Sequence, residues 1–398
     1  MIKIVFVSNY FNHHEKSFCD ELSKLPGIEF TFIQTMQMDE ERIRLGWGID
    51  VSSVSYVSCS YGNGNEYEEA LKLCAEADVL ILGSAPDEFV KERVNSNKLT
   101  FYYAERLFRK GLWHMLYPPT FWRVLKRFIL PGNKTNFYML CASGYTALDC
   151  YKINAFRNKY FKWGHFIEIK PYEQAQRILQ DKIINQAKPV SILWAGRLIE
   201  LKHPELVILT ANRLKQQGYQ FDLNIIGTGI LEDYLKNMVD QYHLSDCVHF
   251  LGTMQPQEVR TYMEASDIYL FTSDFNEGWG AVLGEAMASG CAVVVSHGIG
   301  ATPFLVRHMH NGLIYETGNI DSLYRNVKQL VDSSELRISL AEQAIYTMSN
   351  LWNAEVGAER FYNVAIALLA SNPIPTYSDG PMSIPVLLKN NWFKDDTI

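Results

Sequence analysis

The chain has 398 residues, 47% of them hydrophobic, and a formal charge of −7. That length exceeds one ordinary core and predicts two domains, while the acidic balance argues against a generic nucleic-acid binder. The seven cysteines form no C-x-x-C pair and no zinc-spaced cluster with histidine, so reduced thiols and no structural metal are expected.

From the start of the chain, MIKIVFVSNY reads as a strand rather than a signal peptide, because no basic segment precedes it. With no apolar run of the ~18–20 residues that span a bilayer, a cytoplasmic protein is expected. IKIVFVS (2–8), EFTFIQ (29–34), DVLILG (78–83), LTFYYA (99–104) and FYMLCAS (137–143) follow as buried strands separated by helical patterns. A polar stretch bracketed by prolines, 168–189, marks the boundary. A second series comes after it: VSILWAG (190–196), FDLNIIG (221–227), CVHFLG (247–252), DIYLFTS (267–273) and CAVVVS (291–296). Continuous apolar strands alternating with helices predict parallel sheets covered on both faces. The expected fold class is therefore α/β, two doubly wound Rossmann-like domains facing across a cleft. Residues 1–175 are expected to form the first domain, 185–350 the second, and 351–398 a helix crossing back to the first domain and an irregular tail. Ligands bind beyond the carboxyl ends of such strands, so the loops there are searched for chemistry.

Four loops of the second half qualify. In AGRLIELKHPE (195–205), Arg197 and Lys202 follow a strand. Together they suit a diphosphate, the guanidinium by paired hydrogen bonds and the ammonium as a point charge; a solvated basic pair is the alternative. In IIGTGILEDY (225–234), Gly227 and Gly229 permit either close approach to a ligand or a plain tight turn. Glu232 stands where a dinucleotide fingerprint needs its third glycine. In FLGTMQPQEV (250–259), backbone groups near Gly252 and Thr253 are placed to face a base. In DFNEGWGAVLGEAMASG (274–290), a loop opens onto a helix from about Ala281 to Ser289. Its amino end suits a phosphate, and Gly278 and Gly280 allow close approach. Glu277 precedes that end, and Glu285 lies roughly 7 Å farther along the axis. A glutamate among Ala, Leu and Met on a buried helix also needs a partner.

GRLIELKHPE, IIGTG, FLGTMQPQEV and ASDIYLFTSDFNEGWGAVLGEAMASGCAVVVS together resemble the glycosyl transferases group 1 family, nucleotide-sugar-dependent enzymes of GT-B fold. The resemblance covers about 185–330, and its most specific element is the E-x7-E arrangement of Glu277 and Glu285. It implies a retaining glycosyltransferase acting on a nucleoside-diphosphate sugar, uridine-based by expectation, with a glycan or lipid-linked acceptor in surface polysaccharide assembly. Arg197 and Lys202 would hold the diphosphate. Glu277 would meet sugar hydroxyls, backbone amides of Gly278, Trp279 and Gly280 the sugar and phosphate, and Glu285 the ribose. Leu283, Gly227, Gly252 and Thr253 are counted with the donor contacts. No cofactor or metal is implied, since side-chain cations and the helix dipole supply the charge. A GT-B nucleotide-sugar epimerase and a non-catalytic sugar-nucleotide-binding subunit are the competing readings.

The first half departs from the family's glycine-rich first loop, having SNYFNHHEKSF instead. His13 and His14 are read either as facing donor phosphate or acceptor, or as a surface pair. Glu105 is read either as an acceptor-positioning group or as an ion-pair partner of Arg106 or Arg109. ERLFRKGLWHMLYPPTFWRVLKRF (105–128) interleaves six basic residues with aromatics. Peripheral contact with an anionic membrane and an ordinary helical pair with an aromatic core face fit it equally.

Overall fold

The computed structural model describes residues 1–40, 43, 48–62, 64–184 and 189–394. Part of the expected boundary stretch, 185–188, and the end of the tail, 395–398, lie outside the described residues. The chain divides into two units, Met1–Glu168 with Trp352–Lys389, and Ile169–Leu351 with Asn390–Ile398.

In the first unit seven parallel strands run in the order β3-β2-β1-β4-β5-β6-β7. They are β1 (Ile2–Ser8), β2 (Ile28–Gln34), β3 (Val57–Cys59), β4 (Val79–Leu82), β5 (Thr100–Ala104), β6 (Phe137–Cys141) and β7 (Tyr160–Lys162). Ile2–Ser8 lies residue for residue beside Ile28–Gln34, and Ile4–Val7 beside Val79–Leu82. Alternate side chains point to opposite faces of a strand. Val5 and Val7 therefore join one core with Leu80, Leu82 and Met139, while Ile4 and Phe6 join another with Phe32, Ile81 and Phe101. This second core is closed by the helix Ala354–Leu369, whose Phe361 ring meets Phe18, Phe101 and Trp163. The tail that follows is irregular but not loose. Lys162 of the edge strand β7 exchanges backbone hydrogen bonds with Met382 and Ser383, which covers an edge that would otherwise present unpaired amides.

The second unit holds six parallel strands in the order β10-β9-β8-β11-β12-β13. These are β8 (Val190–Ala195), β9 (Phe221–Ile226), β10 (Val248–Gly252), β11 (Ile268–Phe271), β12 (Ala292–Ser296) and β13 (Leu313–Tyr315). In each sheet the strand order reverses once, between β1 and β4 and between β8 and β11. β3, β7 and β13 escape the sequence pattern because three residues are too short to show a period.

The helix Tyr172–Ile184 belongs to the second unit, and one side chain explains why. The Lys182 ammonium donates to the carbonyls of Met263, Ser266, Ser289 and Gly290 at 2.7–3.2 Å. These are the open carboxyl ends of two helices, Pro256–Ala265 and Val282–Ala288. A cation at a helix carboxyl end satisfies orphan carbonyls and opposes the negative dipole end. Burial pushes the lysine pKa down, while Cys291, Asp267 and Glu264 pull it up. Lys182→Met should strand these carbonyls and destabilise the second unit by roughly 2–4 kcal/mol, read by urea denaturation.

Candidate functional site

The crevice of an open parallel sheet lies where the strand order reverses, at the strands' carboxyl ends. In the second unit that point is flanked by the loops after β8 and β11, which carry Arg197, Lys202 and Glu277. The loops are tied together locally. Thr272 Oγ1 accepts from Trp194 Nε1 at 2.9 Å and donates to the Lys202 carbonyl at 2.6 Å. The Asp274 amide donates to the Leu201 carbonyl at 3.0 Å. These bonds set Lys202 beside Glu277, and their side chains form an ion pair at 2.5 Å. The ammonium also lies 5.3 Å from the Phe271 ring centroid. Both charged side chains are about 15% exposed, so the pair is sheltered yet reachable. Arg197, one loop turn earlier, is exposed, and no side-chain hydrogen bond or ion pair holds it among the described residues.

Gly227 and Gly229 answer the question left open by the sequence. Gly227 has φ +127°, and a Cβ there would stand 1.9 Å from the Gly196 carbonyl oxygen. At Gly229 it would stand 2.4 Å from the Leu198 carbonyl oxygen. What approaches so closely is the backbone on either side of Arg197, so these glycines let one loop rest on another. Gly252 lies at φ +71° with open space around it, and its carbonyl accepts from the Gly227 amide. Thr253 beside it is exposed.

The loop after β11 leads into a helix of seven residues, Val282–Ala288. Gly278 and Trp279 are buried, and the Trp279 carbonyl accepts from the Ala301 amide. A Cβ on Gly280 would meet the Phe271 ring at 2.7 Å, so this glycine too makes room for protein. Leu283 is fully buried and its amide donates to the Gly280 carbonyl. Its side chain thus serves the core rather than a ligand. Glu285 is half-buried; burial raises its pKa and Arg260, on the neighbouring helix, pulls the other way. The Ser273 hydroxyl, buried where β11 ends, has no hydrogen-bond partner among the described residues.

His203 and Asp274 were not singled out from the sequence. His203 Nε2 faces Asp274 Oδ2 at 3.4 Å and Nδ1 faces Glu205 at 2.8 Å. The hydrogen bond to Glu205 raises the histidine pKa against burial, with Asp274 adding to it. The residue sits at φ +47°, turning the chain from Lys202 into the helix Glu205–Gln216.

The first unit gathers a second group of polar side chains. Asn12 caps the helix His13–Lys24 by accepting from the His14 amide at 2.8 Å. The His13 and His14 rings lie 3.9 Å apart, and His165 is 5.2 Å from His14. His165 Nδ1 faces the Tyr103 hydroxyl at 3.4 Å, and its Nε2 faces Glu105 at 3.4 Å. Glu105 also pairs with Arg109, whereas Arg106 turns to Asp149 and the Tyr145 ring. Beneath these lies Glu15, whose buried carboxyl sits close to its own amide and that of Asn12. The N-x-x-E spacing of Asn12 and Glu15 is a capping-box signature the sequence did display. His165 had no comparable signal, since it follows a three-residue strand.

Burial pushes the Glu15 pKa up to about 7, with Glu105 adding and His165 and the two amides opposing. Burial, then His165, lowers the pKa of both His13 and His14. An unfolded glutamic acid releases its proton near pH ~4.3. Between that value and about 7 the native state binds the extra proton, so stability falls as pH rises through this window and stays lowered above it. Glu15→Gln should therefore be more stable than the parent above neutrality, by up to about 3 kcal/mol, with the advantage vanishing in acid below the unfolded pKa. Urea denaturation of both proteins at the two extremes checks this.

Two parallel α/β units with these strand orders make a GT-B fold. The solved structure of Anabaena Alr3699/HepE in complex with UDP matches with a TM-score of 0.67, over 91% of this chain and 98% of that one, at 14% identity. Residues 176–346 match the model of the glycosyl transferases group 1 family. The amylovoran biosynthesis glycosyltransferase AmsK of Erwinia amylovora is 32% identical over 188 residues, which are 46% of this chain and 44% of that protein. The chain thus spans less than half of that relative's length. A Campylobacter jejuni relative, the N-acetylgalactosamine-N,N'-diacetylbacillosaminyl-diphospho-undecaprenol 4-alpha-N-acetylgalactosaminyltransferase, is 25% identical over 82% of this chain and 79% of its own.

Proposed function

We propose that the chain transfers a sugar from a nucleoside-diphosphate sugar, uridine-based, to a growing glycan or lipid-linked acceptor in surface polysaccharide biosynthesis. The observation that carries this is the sheltered Lys202–Glu277 pair at the switch point of the second sheet, with Arg197 exposed on the adjoining loop. A diphosphate entering beside the pair meets an ammonium and a guanidinium, and the carboxylate remains for sugar hydroxyls. The UDP bound to Anabaena Alr3699/HepE supports uridine as the base, and the activities named for the Erwinia and Campylobacter relatives support polysaccharide or lipid-linked glycan as the setting.

In this reading the bond from the anomeric carbon to the leaving phosphate oxygen breaks as the acceptor oxygen bonds to the same face. The acceptor proton passes to the departing phosphate, and attack on that same face retains configuration. Arg197 and Lys202 stabilise the charge developing on the diphosphate, the role a metal ion plays elsewhere. Glu277 orients the sugar, and Glu285, balanced by Arg260, takes the ribose hydroxyls.

Saturating UDP should stabilise the chain, by about 2.7 kcal/mol at a hundredfold excess over its dissociation constant. Lys202→Ala and Arg197→Ala should each lower kcat/KM for donor turnover by about a hundredfold or more. Absence of any UDP-induced shift in melting temperature would rule the reading out. Sugar epimerised from donor alone would redirect it to an epimerase.

The reading includes peripheral contact with an anionic membrane through the first unit. No helix among the described residues is long and apolar enough to cross a membrane. Instead, Trp113, Leu116, Tyr117 and Trp122 are 65%, 85%, 64% and 57% exposed within ten residues of chain. Large apolar side chains gathered in this way mark an interaction surface. Of the basic residues in 105–128, Arg106, Arg109 and Arg127 are held by Asp149, Glu105 and Asp87. Lys110, Arg123 and Lys126 are exposed and suit acidic headgroups. Flotation with phosphatidylglycerol vesicles should carry the protein, neutral phosphatidylcholine should not, and Trp113→Ser with Trp122→Ser should abolish it. Equal flotation of parent and variant removes this part of the reading.

A further inference from the structure

His297 follows β12 and is buried, and both of its ring nitrogens are hydrogen-bonded. Nδ1 accepts from the Thr317 amide at 2.9 Å, so the ring proton sits on Nε2. Nε2–H then donates to the Asn390 carbonyl at 2.8 Å. The chain leaves the first unit after Lys389, and Asn390 opens the stretch of tail that belongs to the second. Two aromatic residues of that stretch converge on the same imidazole. The Trp392 and Phe393 ring centroids each lie 6.1 Å from that of His297, and Phe393 lies 5.5 Å from His308. An irregular piece of tail is thus seated at the carboxyl end of β12 by a hydrogen bond and by aromatic contacts.

The same imidazole touches the loop that carries Glu277. Phe275 meets it edge to face, with centroids 5.2 Å apart and ring planes at 88°. Asp274, beside Phe275, ties this loop to the Leu201 carbonyl after β8, and its own carbonyl accepts from the Glu277 amide at 3.1 Å. The turn after β12 also lies against the loop backbone. A Cβ on Gly298 would stand 3.1 Å from the Phe275 amide nitrogen and 2.8 Å from Thr317 Oγ1. The loop therefore rests on Leu201 and on the His297 turn, and the tail completes the second support. An imidazole bonded at both nitrogens has a fixed ring plane, and an edge-to-face aromatic contact depends on that plane. We propose that 390–393 is a strap that completes the donor site: it positions the loop 274–280 through His297, a positioning residue that acts on Phe275. Naming that loop as the donor loop rests on the transferase reading; the contact does not.

The test compares amide hydrogen exchange of the full chain, without ligand, between the parent and Trp392→Ser with Phe393→Ser. Exchange over 274–280 should quicken, while the helix Tyr172–Ile184 of the same unit keeps its rate. UDP should bind this variant about tenfold more weakly than the parent, through loss of the ring contacts and of the order they impose. Trp392→Tyr with Phe393→Tyr keeps both rings and should behave as the parent does. His297→Leu removes the imidazole and both its hydrogen bonds, and should loosen the same loop. The proposal is overturned if exchange over 274–280 is unchanged in the serine variant, if the whole second unit loosens alike, or if that variant binds UDP as tightly as a parent that binds it. A parent that binds no UDP sinks the transferase reading, and exchange without ligand still decides whether the strap holds the loop.

Discussion

Backbone resting on backbone is the constraint from which the second unit's site follows. The turn after β9 presses against the loop after β8 so closely that side chains at Gly227 and Gly229 would overlap the Gly196 and Leu198 carbonyls. That contact fixes the path of Gly196–Leu198, and with it Arg197. Thr272 and Asp274 then hold the next residues of the loop to the end of β11. Lys202 consequently meets Glu277 across the switch point although 75 residues separate them in sequence. Rigid loops of this kind spare a binding site the entropy of ordering its own groups when ligand arrives.

The two units treat polar burial differently. In the second, buried charge is answered. Lys182 serves four carbonyls and Lys202 faces Glu277. In the first, Glu15 keeps an oxygen without a hydrogen-bond partner among the described residues, beneath a set of imidazoles. Satisfied networks rigidify a core, whereas an unsatisfied group is a local cost that persists only where function or the surrounding packing sustains it.

Much of the fold was legible because the long strands are continuous apolar runs, and a run such as CAVVVS can be little else in a chain that also alternates with helical patterns. β3, β7 and β13 were not, since three residues carry no period. The candidate residues were legible by type, because a glycine, a guanidinium or a carboxylate beyond a strand end is unusual enough to notice. Their roles were less so. Gly227 and Gly280 read as room for a ligand, yet the space is filled by Gly196 and by the Phe271 ring. Leu283 read as a donor contact, yet the helix turns it into the core.

The sequence by itself determined where strands end and which charged residues stand there, because both are local properties of composition and order. Only the tertiary structure decided the partners. Lys202 found Glu277, Glu105 found His165 and Arg109, and Glu15 was buried with one oxygen unbonded among the described residues. The reason is physical. Pairing and desolvation depend on distances across a sheet, which parallel strand order sets through crossovers many residues long, and no short stretch of sequence records them.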